Sequence, residues 1–209
     1  MDDSDYHQII QGWKYQSTNL NDCLVFSTYN IFLDLSRKTA IKKLKLSLGK
    51  IKEYTNYDQL RGTSKADLCP KINQIIEPMR FRAVEKNRAD GITIDDLIEI
   101  VQDADTSYPA IHVRWEYFKE QNARYDHQGR LEYDHVIIVL DIDIDRQVMT
   151  IFDPMEKFIE RSTNVKKLNR EVSLPKMSTH WARARSEPNW IFFVEKIKTG
   201  QTRLEVEYT

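Results

Sequence analysis

Cysteine is scarce in this chain: Cys23 and Cys69 are the only two in 209 residues. That excludes a disulfide framework. One bridge between them remains open, although an intracellular chain with two cysteines is more often reduced. No Cys or His pair has metal-ligand spacing, so a metal centre is not expected. Glycine and proline number six each, which leaves no flexible linker, and no repeat or low-complexity segment is visible. An excess of either charge is also missing. With 31 basic and 32 acidic side chains, the chain as a whole has no electrostatic footprint for nucleic acid or an anionic membrane. Long hydrophobic runs are lacking too, and residues 1–11 carry three aspartates rather than an apolar signal. No membrane insertion is therefore expected, and the default location is cytoplasmic.

What is present is enough apolar residue, 41%, for one well-packed domain over 1–209. Residues 1–12 read as a flexible lead-in. Asn21-Asp22 offers a helix cap, and the helix it opens, from Cys23 to about Leu35, is apolar around most of its circumference. Residues 40–51 carry Ile41, Leu44, Leu48 and Ile51 at helical spacing, with lysines on the other face. Gly62-Thr63-Ser64 predicts the start of a third helix reaching Ile76, and Thr93-Ile94-Asp95-Asp96 the start of a fourth through Val101.

The second half changes character. Residues 110–118 alternate as a half-buried strand, which turns His112 towards solvent. His135 to Ile142 is a run of aliphatic, largely β-branched residues, expected as a central strand. A tight connection at 143–146 joins it to a second strand over 147–152. Further strands are expected over 189–197 and 203–208, so that the extension 157–209 completes the sheet. Helices followed by an antiparallel sheet predict an α+β domain.

Three residues carry the chemistry. Cys23 falls in the first turn of a helix, where free N–H groups and the helix dipole favour a thiolate. His135 opens a rigid strand, as a general base should. Asp153 follows the next strand. If the two strands pair as a hairpin, His135 and Asp153 share one end of the sheet, where the carboxylate orients the imidazole. Gln16, shortly before the cysteine, is the candidate oxyanion donor, with Asn19 and Asn21 as alternatives.

These segments resemble the bacteriocin-processing cysteine peptidases, the C39 family, and their stand-alone C39-like relatives. The matching stretches are Gln-Ser-Thr-Asn-Leu-Asn-Asp-Cys at 16–23, Gly-Thr-Ser at 62–64 and Tyr-Pro-Ala-Ile at 108–111. The most specific are Asp-His-Val-Ile-Ile-Val-Leu at 134–140 and Val-Met-Thr-Ile-Phe-Asp-Pro at 148–154. The resemblance spans about residues 13–155. It implies a papain-like fold, with a nucleophile-bearing helix packed on a twisted antiparallel sheet. It also implies a Cys23–His135–Asp153 triad with Gln16 at the oxyanion hole. The sequence departs from the family at Leu24, where glycine is usual, and in the wider spacing from Gln16 to Cys23. Phe152-Asp153-Pro154 also suits the effector-type cysteine proteases of pathogens, which share the Cys, His, Asp order.

The expected activity is hydrolysis of a peptide or isopeptide bond in a polypeptide substrate, with no metal or organic cofactor. An acyltransferase or deamidase with the same triad is the nearest alternative, and an inactive papain-like binding module the other. Cys69 reads as structural, and His7, His127 and His180 take no role. The lysines of 38–52 read as a solvated helix face before a basic patch. The aromatic pairs Trp13-Tyr15 and Trp181-Trp190 suit a cleft lining or core packing equally.

Overall fold

The computed structural model describes residues 1–15, 22–57, 63, 65, 67–114, 134–157, 170–184 and 187–198. In chain order these form α1 (Asp3–Ile9), α2 (Cys23–Lys38), α3 (Leu48–Tyr54), α4 (Leu68–Ile76), β1 (Phe81–Lys86), α5 (Ile94–Gln102), β2 (Ala110–Val113), β3 (His135–Asp143), β4 (Val148–Phe152), β5 (Glu171–Ser173), α6 (Leu174–Ala182) and β6 (Ile191–Lys196). The strands make one antiparallel sheet in the order β1-β6-β2-β3-β4-β5. The fold is α+β, and none of the described helices is long and apolar enough to cross a membrane.

Side chains leave the two sheet faces alternately, and helices cover both. Ala110, Val136, Ile138, Leu140 and Phe152 join α2, α3 and α4 in one apolar cluster. Ile111, Val113, Ile137, Val139 and Ile151 join Leu97 of α5 and Met177 and Trp181 of α6 in the other. Two-sided burial explains why β3 has no polar alternation along most of its length. It also corrects the expectation for His112, which is buried rather than solvent-facing because its sheet face lies under a helical layer.

Several elements depart from the sequence pattern. Residues 1–12 are not a loose lead-in: Asp2 caps α1 by accepting the Asp5 N–H at 2.8 Å, and Tyr6 and Ile10 are buried. The single helix expected over 40–51 is instead a 3-10 turn at Lys42–Leu44 followed by α3, because the Ser47 hydroxyl accepts the Lys50 N–H and starts a new helix. The helix expected from Gly62-Thr63-Ser64 begins only at Leu68. β1, β5 and α6 were not expected, so strands and helices interleave more than the simple order implied. β6 lies inside the sheet, between β1 and β2. The stretches 115–118 and 203–208, expected as strand, lie outside the described residues.

The expected hairpin is present, but its connection is 144–147, one residue later than the sequence pattern places it, because Asp143 still pairs with Val148. Asp143 Oδ1 accepts the Arg146 N–H at 2.9 Å, and Gln147 takes a positive φ of 53° before β4 starts. Ile138 pairs with Phe152 and Val139 with Ile151, with an irregularity at Leu140. Continuing that register by one step sets Asp153 opposite Ile137, on the same face as His135. Cross-strand diagonal neighbours of this kind are within reach of side chains. The hairpin therefore delivers His135 and Asp153 to one end of the sheet.

Candidate active site

His135 and Asp153 are in direct contact: the ring Nε2 and the carboxylate Oδ1 are 2.8 Å apart. The aspartate is itself fixed. Its Oδ1 also accepts the Met155 N–H at 2.7 Å, and its carbonyl accepts the Glu156 N–H at 3.1 Å. This is the turn that an Asp-Pro pair favours, with proline in the second position and the aspartate bonding its own backbone. His135 is 1% and Asp153 4% exposed, so bulk water does not weaken their attraction.

The third member comes from α2. The Cys23 side chain, at the start of that helix, is among the groups that act on the His135 ring and raise it. Burial alone would push the imidazole down. The Asp153 carboxylate and then the Cys23 side chain override it and raise the ring to about 10.

Asp22 stands at the N-cap of α2 but makes no side-chain cap bond. Its carboxylate instead meets the Lys52 ammonium at 3.3 Å. Asp22 therefore leaves the first-turn N–H groups of α2 uncapped by its own side chain, at the end of the helix where the dipole is positive and where Cys23 stands. Gln16, Asn19 and Asn21, the candidate oxyanion donors, lie outside the described residues.

The lead-in towards Gln16 is nevertheless anchored. Asn30, in the middle of α2 and fully buried, accepts the Lys14 N–H at 2.8 Å and donates to the Lys14 carbonyl at 2.9 Å. Trp13 and Tyr15 on either side pack on Phe152, with ring centroids 4.8 and 5.1 Å away. Asparagine here does what a neighbouring strand would do. Its signal in the sequence is an amide in an otherwise apolar helix. Asn30→Ala removes the partner of two part-buried backbone groups and should cost about 1 kcal/mol. Urea unfolding measures this, and a loss below about 0.5 kcal/mol would show that the clamp holds nothing.

A polar cluster flanks His135 across β2. His112 lies against Trp190, with centroids 4.5 Å apart, and its Nδ1 is 3.3 Å from Lys65 Nζ. Burial, then Lys65 and His135, push the His112 ring well below its ordinary value, so it stands neutral beside a charged His135. Lys65 pairs with Glu187. The Trp190 indole donates to Glu85, whose carboxyl is pushed up by burial. Trp181 and Trp190 are core residues joined by an indole-to-carbonyl bond of 2.8 Å, so neither lines a cleft. Of the six lysines over 38–52, expected as a solvated helix face, three are ion-paired: Lys38 with Asp34, Lys50 with Glu53 and Lys52 with Asp22. His7 and His180 lie in α1 and α6, and His127 is outside the described residues.

Cys23 and Cys69 are both free thiols, Cys23 buried and Cys69 half-buried, and their neighbours differ. Burial, and then Glu85, push the Cys69 thiol up to about 12, which keeps it protonated and inert at neutral pH. Cys23 adjoins a strong base. Iodoacetamide at pH 7 should therefore alkylate Cys23 at least about tenfold faster than Cys69, read by peptide mass spectrometry. Equal rates would contradict the difference in environment.

No protein-family model matches the chain, and no curated protein matches its sequence.

Proposed function

We propose that this chain is a papain-like, C39-like cysteine peptidase that cleaves a peptide or isopeptide bond through an acyl-enzyme. One observation carries the reading: a buried imidazole held 2.8 Å from a buried carboxylate, with the Cys23 side chain at a helix N-terminus acting on the same ring. That pattern is the nucleophile, base and orienting group of acyl transfer.

The Cys23 thiol gives its proton to His135, and the thiolate attacks the carbonyl carbon. The oxyanion that forms is stabilised by first-turn N–H groups of α2 and by a side-chain amide from the Gln16 segment. His135 then passes its proton to the leaving nitrogen, the C–N bond breaks, and a thioester remains on Cys23. Water, deprotonated by the same imidazole, attacks the thioester and releases the acid and the thiol. Asp153 keeps the ring in one orientation throughout and stabilises its charged form.

The test compares wild type, Cys23→Ser and His135→Ala on a proteome-derived peptide library by mass spectrometry. Cleavage products that vanish in both variants are expected. Cys23-dependent ammonia release or amine incorporation without cleavage would move the reading to a deamidase or acyltransferase. No Cys23-dependent turnover of any kind would leave an inactive binding module.

A further inference from the structure

The residue before the nucleophile is an acid. Asp22 is 6% exposed and Cys23 is buried beside it. Adjacent Cα atoms stand about 3.8 Å apart, and both side chains are short. The Asp22 carboxylate therefore lies within about 10 Å of the Cys23 sulfur whichever way the two side chains turn. A thiolate at Cys23 forms as a second anion next to the first, with little water between them to weaken the repulsion.

Among the described residues that carboxylate has one partner. Its Oδ2 accepts from Lys52 Nζ at 3.3 Å, and its Oδ1 is buried without a hydrogen bond. An aspartate at a helix start ordinarily accepts first-turn N–H bonds. Asp22 instead has φ −97° and ψ 1° and makes no side-chain cap bond, so the lysine alone matches its charge.

The cation is aimed by its own surroundings. Lys52 follows Ile51 in α3, and Ile51 is fully buried in the apolar cluster that holds Cys23 and Leu24. Past the helix, Asn56 takes a positive φ of 44°, and the Tyr57 N–H returns to the Lys52 carbonyl at 2.9 Å. That turn brings the Tyr57 ring to the ammonium, 4.3 Å from its centroid. Carboxylate and ring together hold the lysine head, although 38% of its side chain remains exposed.

We propose that Lys52 is a positioning residue for the peptidase chemistry: by holding the Asp22 carboxylate, it keeps that anion from opposing the Cys23 thiolate. The inference rests on the peptidase reading above, because only a thiolate at Cys23 gives the pair this task. The other charged and titratable groups on the packed elements are His135 at the start of β3, with Asp153 against it and Asp134 before it in the chain. α3 and α4 add Lys50 with Glu53 and Lys71 with Asp67, each paired with the other.

The sign of each change follows from charge. Lys52→Met leaves the Asp22 anion unmatched, which disfavours the thiolate. Asp22→Asn removes the anion at nearly constant shape, which favours the thiolate, by a smaller amount because the freed ammonium can turn to water. Asp22→Asn/Lys52→Met removes both charges, and Lys52→Arg keeps both.

The experiment follows iodoacetamide alkylation of Cys23 between about pH 4 and pH 10 in wild type and these four variants, with thermal unfolding in parallel. In Lys52→Met the midpoint of the profile should rise by about half a pH unit or more. It should fall in Asp22→Asn, and it should lie close to wild type in the double variant and in Lys52→Arg. A profile that stays put in a folded Lys52→Met protein would reduce the pair to scaffolding and overturn the proposal. So would a rise that Asp22→Asn fails to cancel. Should Lys52→Met not fold, the near-isosteric Asp22→Asn decides, and an unchanged or higher midpoint there overturns the proposal. Wild-type alkylation that is indifferent to His135→Ala would instead overturn the peptidase reading, and the proposal with it.

Discussion

His135→Ala should lower Cys23-dependent turnover by roughly ten-thousand- to million-fold, about as much as loss of the nucleophile itself. In the proposed mechanism the imidazole is the base that serves the Cys23 side chain, which acts on the His135 ring. Without it the thiol has no acceptor for its proton, and the leaving nitrogen has no donor. His135 is almost fully buried, so alanine also opens a cavity. His135→Gln is the control for packing: it fills the space, cannot exchange a proton at neutral pH, and should be equally inactive. The check is turnover of a substrate found in the peptide library, alongside thermal unfolding of each variant. A His135→Gln protein that keeps a tenth or more of wild-type turnover would remove the base from the mechanism.

Asp153→Asn should lower turnover by about a hundred- to ten-thousand-fold with little change in shape. An amide in place of the carboxylate can present an N–H to the ring and select the wrong tautomer. It also removes the charge that overcomes burial and holds His135 up near 10. The same change should alter stability as a function of pH. A folded-state value above the unfolded value of about 6.5 stabilises the native state, fully so below that pH. This contribution fades as pH rises through about 10. Wild type should therefore lose on the order of a few kcal/mol between pH 6.5 and 10 from this group. In Asp153→Asn that slope should be largely absent. Urea unfolding across this range measures both curves, and parallel curves would show that the pair does not couple to folding.

The hairpin that builds the site was legible in the sequence because its signals are local. A run of aliphatic, mostly β-branched residues, a four-residue connection and an Asp-Pro turn leave little freedom over 135–154. Thr93 and Asp96 likewise announce α5 through a capping box that the structure contains. β1 was not legible, since Phe81-Arg-Ala-Val-Glu-Lys carries three charges. It is a strand because β6 pairs with it and because the Asn73 side chain bonds both Ala83 backbone groups on its outer edge. His112 was misread because period-two alternation assumes one wet face, and here helices cover both. α1 escaped notice because its burial rests on Tyr6 and Ile10 alone. The start of α6 did carry a signal, a proline in its first turn at Pro175. Asp22 and Lys52 could not be paired from sequence, because only the packing of α3 beside α2 brings them together.

The most direct test of the central claim is a double-mutant cycle on Cys23 reactivity. Alkylation of Cys23 by iodoacetamide at pH 7 is timed in wild type, His135→Ala, Asp153→Asn and the double variant. If the carboxylate acts only through the imidazole, the double variant reacts no more slowly than His135→Ala alone. If the two losses multiply, or if neither slows the reaction, the sulfur, the ring and the carboxylate do not work as one unit.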